Sequence, residues 1–466
     1  STIIHNSSSN DDHILLQSQL TIKGTNLTIN APEGVYSGSE VEGIALGDNS
    51  KLIITDMDNN PLTHNDVSTI SSMNWNSSDP YNGGLEFYSY GNDNGVVLKN
   101  SIFHHLIQIK NHGDDVVISN NTFFNCSKIQ QAWGNRLIFE NNRIYNVTND
   151  VAVRYWGNNG SFANNYFKDH NVTASNGAIH IIGDNTEIVN NKFINLNSSN
   201  TILGLYGSAS NTTISNNTII NANNFAIAMF GSGSNNTIKE NNLTNVAQGI
   251  WGRGENIFIN DNKLNECGWD DSPGYVGGCI VIAGGGQATR QDNVTIQNNY
   301  IINAREVGFM TGTASRVWGN ITFSNNSITN ASYSVFFTSS GATYRPDNVT
   351  IFNNNFSDST FGVLSYRNYE NRLGNNIIIR DNVMWNLTRG FDIEGTTLIH
   401  NDIIISNNKI YTNETSMTFD EVHGLSVFNN TIFSQTSGLV LTGSVNVAVL
   451  NNDLEVSRNG FISLDS

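Results

Sequence analysis

One phrase recurs along this chain of 466 residues: an apolar residue, a variable one, Asn-Asn or Asp-Asn, another variable residue, then an apolar one. It reads Ile118-Ser-Asn-Asn-Thr-Phe, Ile188-Val-Asn-Asn-Lys-Phe, Ile214-Ser-Asn-Asn-Thr-Ile, Ile296-Gln-Asn-Asn-Tyr-Ile and Ile405-Ser-Asn-Asn-Lys-Ile. The second Asn sets a register: Asn121, Asn142, Asn165, Asn191, Asn217, Asn242, Asn262, Asn299, Asn326, Asn354, Asn382, Asn408, Asn430 and Asn452. Most steps are 20 to 28 residues, and one is 37. Within each repeat apolar and polar residues alternate with period two, the signature of strand, and no helical stripe intervenes. Strands repeating at this period without helices predict an all-β chain: a single-stranded right-handed parallel β-helix of roughly fifteen coils, one rung per repeat.

The Asn has a physical task in such a solenoid. It sits at a tight bend, where Asn tolerates the left-handed conformation. Stacked one rung apart, its amide can bond the Asn above and below. The reading of these residues is therefore structural. A second phrase follows each bend: small, apolar, then three variable residues and Gly, as in Ala178-Ile-His-Ile-Ile-Gly and Gly390-Phe-Asp-Ile-Glu-Gly. Its second position predicts an inward column, Ile179, Leu203, Ile227, Ile250, Ile280, Phe309, Val335, Val363, Phe391, Met417 and Leu439. The fourth position also faces inward, and the third and fifth outward.

Residues 1–60 lack the phrase and are assigned to an N-terminal cap with irregular first coils, since a solenoid must protect its first edge. The β-helix occupies 61–466, with a loop insertion at 268–278 bracketed by Cys267 and Cys279. In an oxidising compartment these two could close the insertion as a disulfide; otherwise all three cysteines, Cys126 included, act as buried apolar thiols. The last phrase falls at the end of the sequence with no cap after it, so the natural chain is expected to continue.

Charged residues are 14% and the formal net charge is −17, the wrong sign for a nucleic-acid binder. No apolar run reaches the ~18 residues of a membrane span. Asn is about one residue in six, and about two dozen Asn-x-Ser/Thr triplets, among them Asn26, Asn146, Asn171, Asn320 and Asn386, fit a secreted or cell-surface glycoprotein. An Asn-, Ser- and Thr-rich chain also makes roughly a dozen such triplets by chance. Nucleotide-binding loops, His-Glu-x-x-His and Cys-x-x-Cys are absent. His104-His105 and His112 do not form a metal set, so no cofactor is called for beyond Ca²⁺ at an acidic patch.

The Asn-Asn phrase resembles the parallel β-helix repeats of the pectate-lyase-like superfamily, and is similar to the Asn-rich versions in archaeal surface proteins, both adhesin-like proteins and disaggregatase-type polysaccharide hydrolases. The resemblance runs from about Val96 to Ser466 and implies the fold, with a polysaccharide as the expected partner. It carries over no catalytic residue. Polygalacturonases of this fold bear Asn-Thr-Asp, Asp-Asp, Gly-His-Gly and Arg-Ile-Lys in successive coils. Here Asp114-Asp115 and Asp270-Asp271 stand without the other members.

Equivalent positions in stacked coils lie ~4.8 Å apart and form columns. The outward third position is read as Gln108, Gln130, Arg154, His180, Gly204, Ala228, Trp251 and onward to Asp392 and Thr418. The fifth is read as Lys110, Ala132, Trp156, Ile182, Tyr206, Phe230, Arg253 and onward to Tyr366, Glu394 and Asp420. Trp156, Tyr206, Phe230 and Trp251 are thus either platforms for sugar rings or a satellite core under long loops. Four of the 13 Arg fall at one offset in consecutive coils, Arg290, Arg316, Arg345 and Arg372, with Arg367 nearby. Stacked cations need compensation, from neighbouring acids or from a polyanionic ligand such as a uronate polysaccharide.

For chemistry, Asp392 and Glu394 lie two apart on one strand, ~7 Å between Cα atoms, within the range of glycosidase carboxylate pairs. Asp420 sits one rung beyond Glu394, close enough to raise a neighbouring carboxylate pKa. A solvated acidic patch is the bland alternative. Arg154 beside His180 would instead serve β-elimination from a uronate, with Arg neutralising the carboxylate. Asp270-Asp271, on the insertion, could close over a groove as a lid. The expectation is an extracellular polysaccharide-active protein, a glycosidase on an acidic polysaccharide. A non-catalytic adhesin or stalk, and a polysaccharide lyase, are the alternatives.

Overall fold

The computed structural model describes residues 96–104, 106–126, 128–147, 151–172, 177–198, 201–268, 277–283, 293–313, 319–337, 347–365, 375–394 and 402–464, and backbone strands within 1–95. Two compact units divide the chain, Ser1–Asn224 and Phe225–Ser466. Among the described residues each is built from parallel strands, in coils of three strands. The first strand of a coil precedes the Asn bend, the second follows it, and the third carries the second phrase. Stacking coils makes three sheets, here called first, second and third.

In the first unit Val117–Ser119, Ile138–Glu140 and Ser161–Ala163 pair in parallel in the first sheet. Thr122–Phe124 and Arg143–Tyr145 do so in the second, and Gln130–Ala132, Val153–Tyr155 and Ile179–Ile181 in the third. Strands within the stretch assigned to a cap pair the same way, Thr2–Asn6 on Asn26–Asn30 and Gln19–Lys23 on Lys51–Thr55. In the second unit the first sheet stacks Val349–Phe352, Ile377–Arg380 and Ile403–Ser406. Among the described residues the first sheet has eight strands in the first unit and nine in the second. The coil count therefore differs slightly from fifteen, because the first coils lack the phrase by which coils are counted.

The inward columns are where alternation places them. Ile179, Leu203, Ile227, Ile280, Phe309, Val335, Val363, Phe391 and Met417 are completely buried. Aromatic rings stack along the interior, Phe103 on Phe123 at 5.0 Å and Phe167 on Phe193 at 4.8 Å in the first unit, and Phe309 on Phe323 at 4.4 Å in the second. The small residue that opens the second phrase leaves room for the next coil. A Cβ on Gly362 would meet the Gly390 carbonyl oxygen at 2.5 Å, and one on Gly390 the Ser416 oxygen at 2.6 Å.

The bend divides its labour between two residues. The first of each pair takes the left-handed conformation, with φ of 56° at Asn141, 54° at Asn325 and 57° at Asp381. The second turns inward and is buried. In the second unit the Asn326 amide donates to Asn354 Oδ1 at 3.1 Å and to the Ile296 and Ser324 carbonyls at 3.0 Å. Its own Oδ1 accepts from the backbone and side-chain nitrogens of Asn299 at 2.8 and 3.0 Å. Donor and acceptor are used at every rung, from Asn121 to Asn217 in the first unit and from Asn241 to Asn452 in the second. One coil corrects the sequence register: Asn241, not Asn242, enters the ladder, because Glu240 takes the bend there with φ of 57°.

Cys126 is a buried thiol outside any disulfide, its Sγ 3.4 Å from the Phe124 carbonyl oxygen, and Cys267 and Cys279 form a disulfide with Cα atoms 5.2 Å apart. The loop it closes lies mostly outside the described residues. His170 is buried in the first unit, its Nε2 3.3 Å from the Ile144 carbonyl oxygen. Burial lowers its pKa to about 4, against opposing effects of that carbonyl and Asp169.

Three outcomes follow. Asn326→Ala lowers stability by about 3 kcal/mol, since it orphans buried groups worth about 1–3 kcal/mol each, and Asn326→Asp lowers it further by burying a charge. Asn325→Gly is tolerated while Asn325→Val costs about 1–2 kcal/mol; denaturant midpoints of the four variants check the division of labour. Reducing the disulfide, or Cys279→Ser, removes about 3 kcal/mol for a loop of this size, seen as a lower melting temperature. His170 binds a proton at 6.5 when unfolded and at about 4 when folded. The unfolded state therefore takes up more protons between those values, and stability declines as pH falls from 6.5 to about 4, by on the order of 3 kcal/mol. His170→Asn flattens that slope.

Candidate functional site

The outer face of the third sheet bears most of the candidate side chains, and each unit carries its own set. In the first unit, pairing sets Gln131 opposite Arg154 and Ala132 opposite Tyr155. The column readings at Gln130 and Ala132 are therefore one residue out of step. Gln130 is fully buried, and the outward residues of that coil are Gln131 and Trp133. The reason is local: this strand is three residues long and polar, so its alternation carries little apolar contrast to fix the parity.

Corrected, the first unit shows a strip of cations and rings. His112 stacks on Trp133 at 4.3 Å, and Trp133 on Trp156 at 4.7 Å. Lys110 lies 5.8 Å from the Trp133 ring and Arg154 5.4 Å from that of Trp156. Arg154 pairs in register with His180, and His180 stacks on Tyr206 with ring centroids 3.7 Å apart. Burial raises the Tyr206 phenol well above its ordinary pKa, with Arg154 opposing. The strip joins a guanidinium, an imidazole and a phenol over successive coils. Asp114 and Asp115 are elsewhere occupied: Arg136 holds both, at 3.1 and 2.6 Å.

In the second unit Phe230 and Trp251 meet edge to face at 4.8 Å, and Phe225 stacks on Trp251 at 5.3 Å. Arg253 donates back to the Phe230 carbonyl at 3.2 Å, and burial lowers its pKa. Farther along, the third-position residues Val281, Met310, Phe336 and Leu364 are 2 to 8% exposed. They form a cluster with Val307, against which Trp251, Tyr333 and Phe361 pack. This stretch of the outer face is a satellite core. Its aromatic members, Trp251 among them, contribute packing first.

The apolar column ends at the carboxylates. Leu364 pairs with Asp392, Asp392 with Thr418, and Glu394 with Asp420. Asp392 and Glu394 share the outer face of Arg389–Glu394, the strand the sequence assigned them. Arg389 bridges two acids, 3.0 Å from Asp392 and 3.2 Å from Glu414. Burial raises the Asp392 pKa, with the negative charge of Asp420 adding to it, and outweighs the opposing pull of Arg389. Among the described residues no three His, Cys, Asp or Glu side chains are disposed to hold a metal ion.

Arg389 and Glu414 were missed by the sequence reading because both fall at the corner between second and third sheets, outside either phrase. Arg290, Arg316, Arg345, Arg367, Arg372, Tyr366, Asp270 and Asp271 lie outside the described residues. No helix among the described residues is long and apolar enough to cross a membrane.

Three solved structures of similar course have been determined with sugars. The alginate lyase AlyF-OU02 in complex with G6 is 14% identical, with 77% of this chain and 86% of that chain covered and a TM-score of 0.49. The catalytic domain of a GH87 alpha-1,3-glucanase with tetrasaccharides is 15% identical over 75% and 69%, with a TM-score of 0.50. A PL6 alginate lyase complex with trisaccharide is 13% identical over 95% and 83%, with a TM-score of 0.48. At such identities the likeness is one of fold. No curated protein matches the sequence. The sequence does match the family described as "Right handed beta helix region", over residues 109–264, 151–328 and 209–378. With the parallel coils and inward ladders seen in both units, the chain belongs to the right-handed β-helix family.

Proposed function

We propose that this protein is a polysaccharide-active enzyme working outside the cell, a glycosidase that cleaves at the carboxylates of the second unit. The observation that carries this reading is Asp392. Its pKa is raised by burial although a guanidinium lies 3.0 Å away, and Glu394 and Asp420 stand beside it on one face. Environments that push neighbouring carboxylates apart in pKa divide them into acid and base. In its protonated form Asp392 delivers a proton to the glycosidic oxygen as the bond breaks. Glu394, paired with Asp420, takes a proton from water as that water attacks the anomeric carbon. Two strand rises, ~7 Å, separate acid from base, which leaves room for the water and corresponds to inversion. Arg389 orients Asp392. The disulfide supports an oxidising compartment, and the fold is one on which a glucanase holds tetrasaccharides.

The proposed substrate is an acidic, uronate-containing polysaccharide. The row of Arg at one offset in the sequence and the cation-rich strip of the first unit support it. That strip favours a second reading, a lyase. With His180 as base, Tyr206 as acid and Arg154 neutralising the carboxylate, a uronate would lose its C5 proton and its leaving group by β-elimination. In a third reading, an adhesin, neither set would do chemistry.

Reducing ends and the absorbance of unsaturated uronates, followed on a panel of uronate and neutral polysaccharides, separate the three. The glycosidase gives reducing ends without unsaturation, and Asp392→Asn abolishes them. Unsaturation that survives Asp392→Asn and disappears in His180→Ala assigns the lyase, and silence across the panel assigns the adhesin. The pH profile adds a sign. A general acid must be protonated, so kcat/KM falls as pH rises through the Asp392 pKa. Arg389→Gln removes the cation that opposes the rise and moves that basic limb to higher pH.

A further inference from the structure

The second sheet of the second unit carries a ring column that none of the functional readings uses. Trp385, Tyr411 and Phe433 stand on its outer side in successive coils. Tyr411 pairs with Phe433 in register; their rings are 4.7 Å apart and 4° from parallel. Trp385 is 4.6 Å from Tyr411 and turned by 55°. Each sits one residue beyond the buried apolar residue that ends the Asn phrase, Met384, Ile410 and Ile432. Cross-strand rings stabilise a sheet by packing, and packing alone would cover them. Trp385 is 55% exposed.

Beside the rings runs a row of amides. Asn386 donates to Asp358 at 2.7 Å, Asn413 to Asn386 at 3.3 Å and Gln435 to Asn413 at 3.4 Å. A primary amide has two N–H groups and an oxygen with two lone pairs, so each retains bonding capacity facing outward. Two concavities meet at Asn386 and Asn413. One, of about 430 Å³, holds the three rings. The other, of about 440 Å³, continues past Asp358 toward Asn303, with Ser332, Thr360 and Thr388 on its far side. Along the ring column itself the hydroxyls of Thr329 and Ser357, 3.0 Å apart, precede Trp385.

We propose that this surface binds a glycan through neutral sugar rings, as a site separate from the carboxylates of the third sheet. A pyranose presents a C–H face that stacks on an aromatic ring and hydroxyls at its rim that bond amides and alcohols. Rings and amides repeated at the coil spacing suit a polymer lying along the coils. The ionisable lining is mixed, Arg305 against Asp358 and Glu455, so nothing here attracts a polyanion in particular. The site holds the neutral sugars of a glycan whether or not the carboxylates of the third sheet cleave it.

Native electrophoresis of the full chain in gels containing xylan, galactomannan, mixed-linkage β-glucan, alginate or polygalacturonate tests it. The expected result is retardation by at least one neutral polysaccharide. Trp385→Ala weakens it about tenfold at unchanged melting temperature, as loss of an exposed stacking ring does, and Tyr411→Ala weakens it likewise with a small loss of stability from the packing it gives up. Trp385→Phe retains most of it, and Ser357→Tyr, which adds a ring to the column, strengthens it. Asp392→Asn binds as the parent does, and Trp385→Ala cleaves short soluble oligosaccharides as the parent does, so failure here and failure of the glycosidase reading are told apart. Retardation by the uronate polymers alone, none by any gel, or retardation indifferent to Trp385→Ala and Ser357→Tyr overturns the proposal.

Discussion

A column of buried side-chain amides holds each unit in register. A polar group buried without a partner costs about 1–3 kcal/mol, so an inward Asn is tolerable only where its donors and acceptor are all met. A single coil cannot do this. The Asn326 amide needs Asn354 on one side, and its oxygen needs Asn299 on the other. The ladder therefore penalises any slip of one coil against the next and turns a repeat of similar sequences into one stacking order. Coil lengths vary widely under this rule, since what must match is the bend and not the loop.

Register at the bend fixes what the outer faces offer. Once the ladder aligns the coils, alternation decides which side chains stand outward, and neighbours in a column are one coil apart. Close spacing has opposite consequences for different chemistries. Rings gain from it, as in the stacks of Trp133 on Trp156 and Tyr411 on Phe433. A carboxyl is made harder to ionise by it, as Asp420 adds to the effect of burial in raising the Asp392 pKa. One architectural constraint thus produces both a carboxyl of raised pKa and flat aromatic platforms.

Much of the fold was legible in the residues. Period-two alternation and the Asn phrase predicted the parallel coils and the inward columns, and the bracketing of the insertion by Cys267 and Cys279 offered the disulfide as an open alternative. The errors were local and share a cause. At Asn242 the bend was placed one residue late because Glu240-Asn241-Asn242 offers two equivalent readings, and a Glu at positive φ is not what the phrase leads one to expect. At Gln130 a short polar strand gave parity no apolar contrast. The outward, neighbouring placement of Asp392, Glu394 and Asp420 was legible because they lie on well-patterned strands. Arg389, which bonds Asp392, and Glu414, which bonds Arg389, were not legible, because corner residues follow no period. The Trp385 column escaped notice for a plainer reason: the sequence does not say that this face stays open.

By itself, then, the sequence determined the coil and the side of the strand on which most residues stand, since these follow from short-range alternation and a bend motif. Only the tertiary structure decided which outward side chains are accessible. Val281, Met310, Phe336 and Leu364 stand outward by parity and are nevertheless buried, whereas Trp385, outward by the same rule, is exposed. Burial of an outward residue depends on what the rest of the chain lays over it, a contact between distant segments that no local pattern encodes.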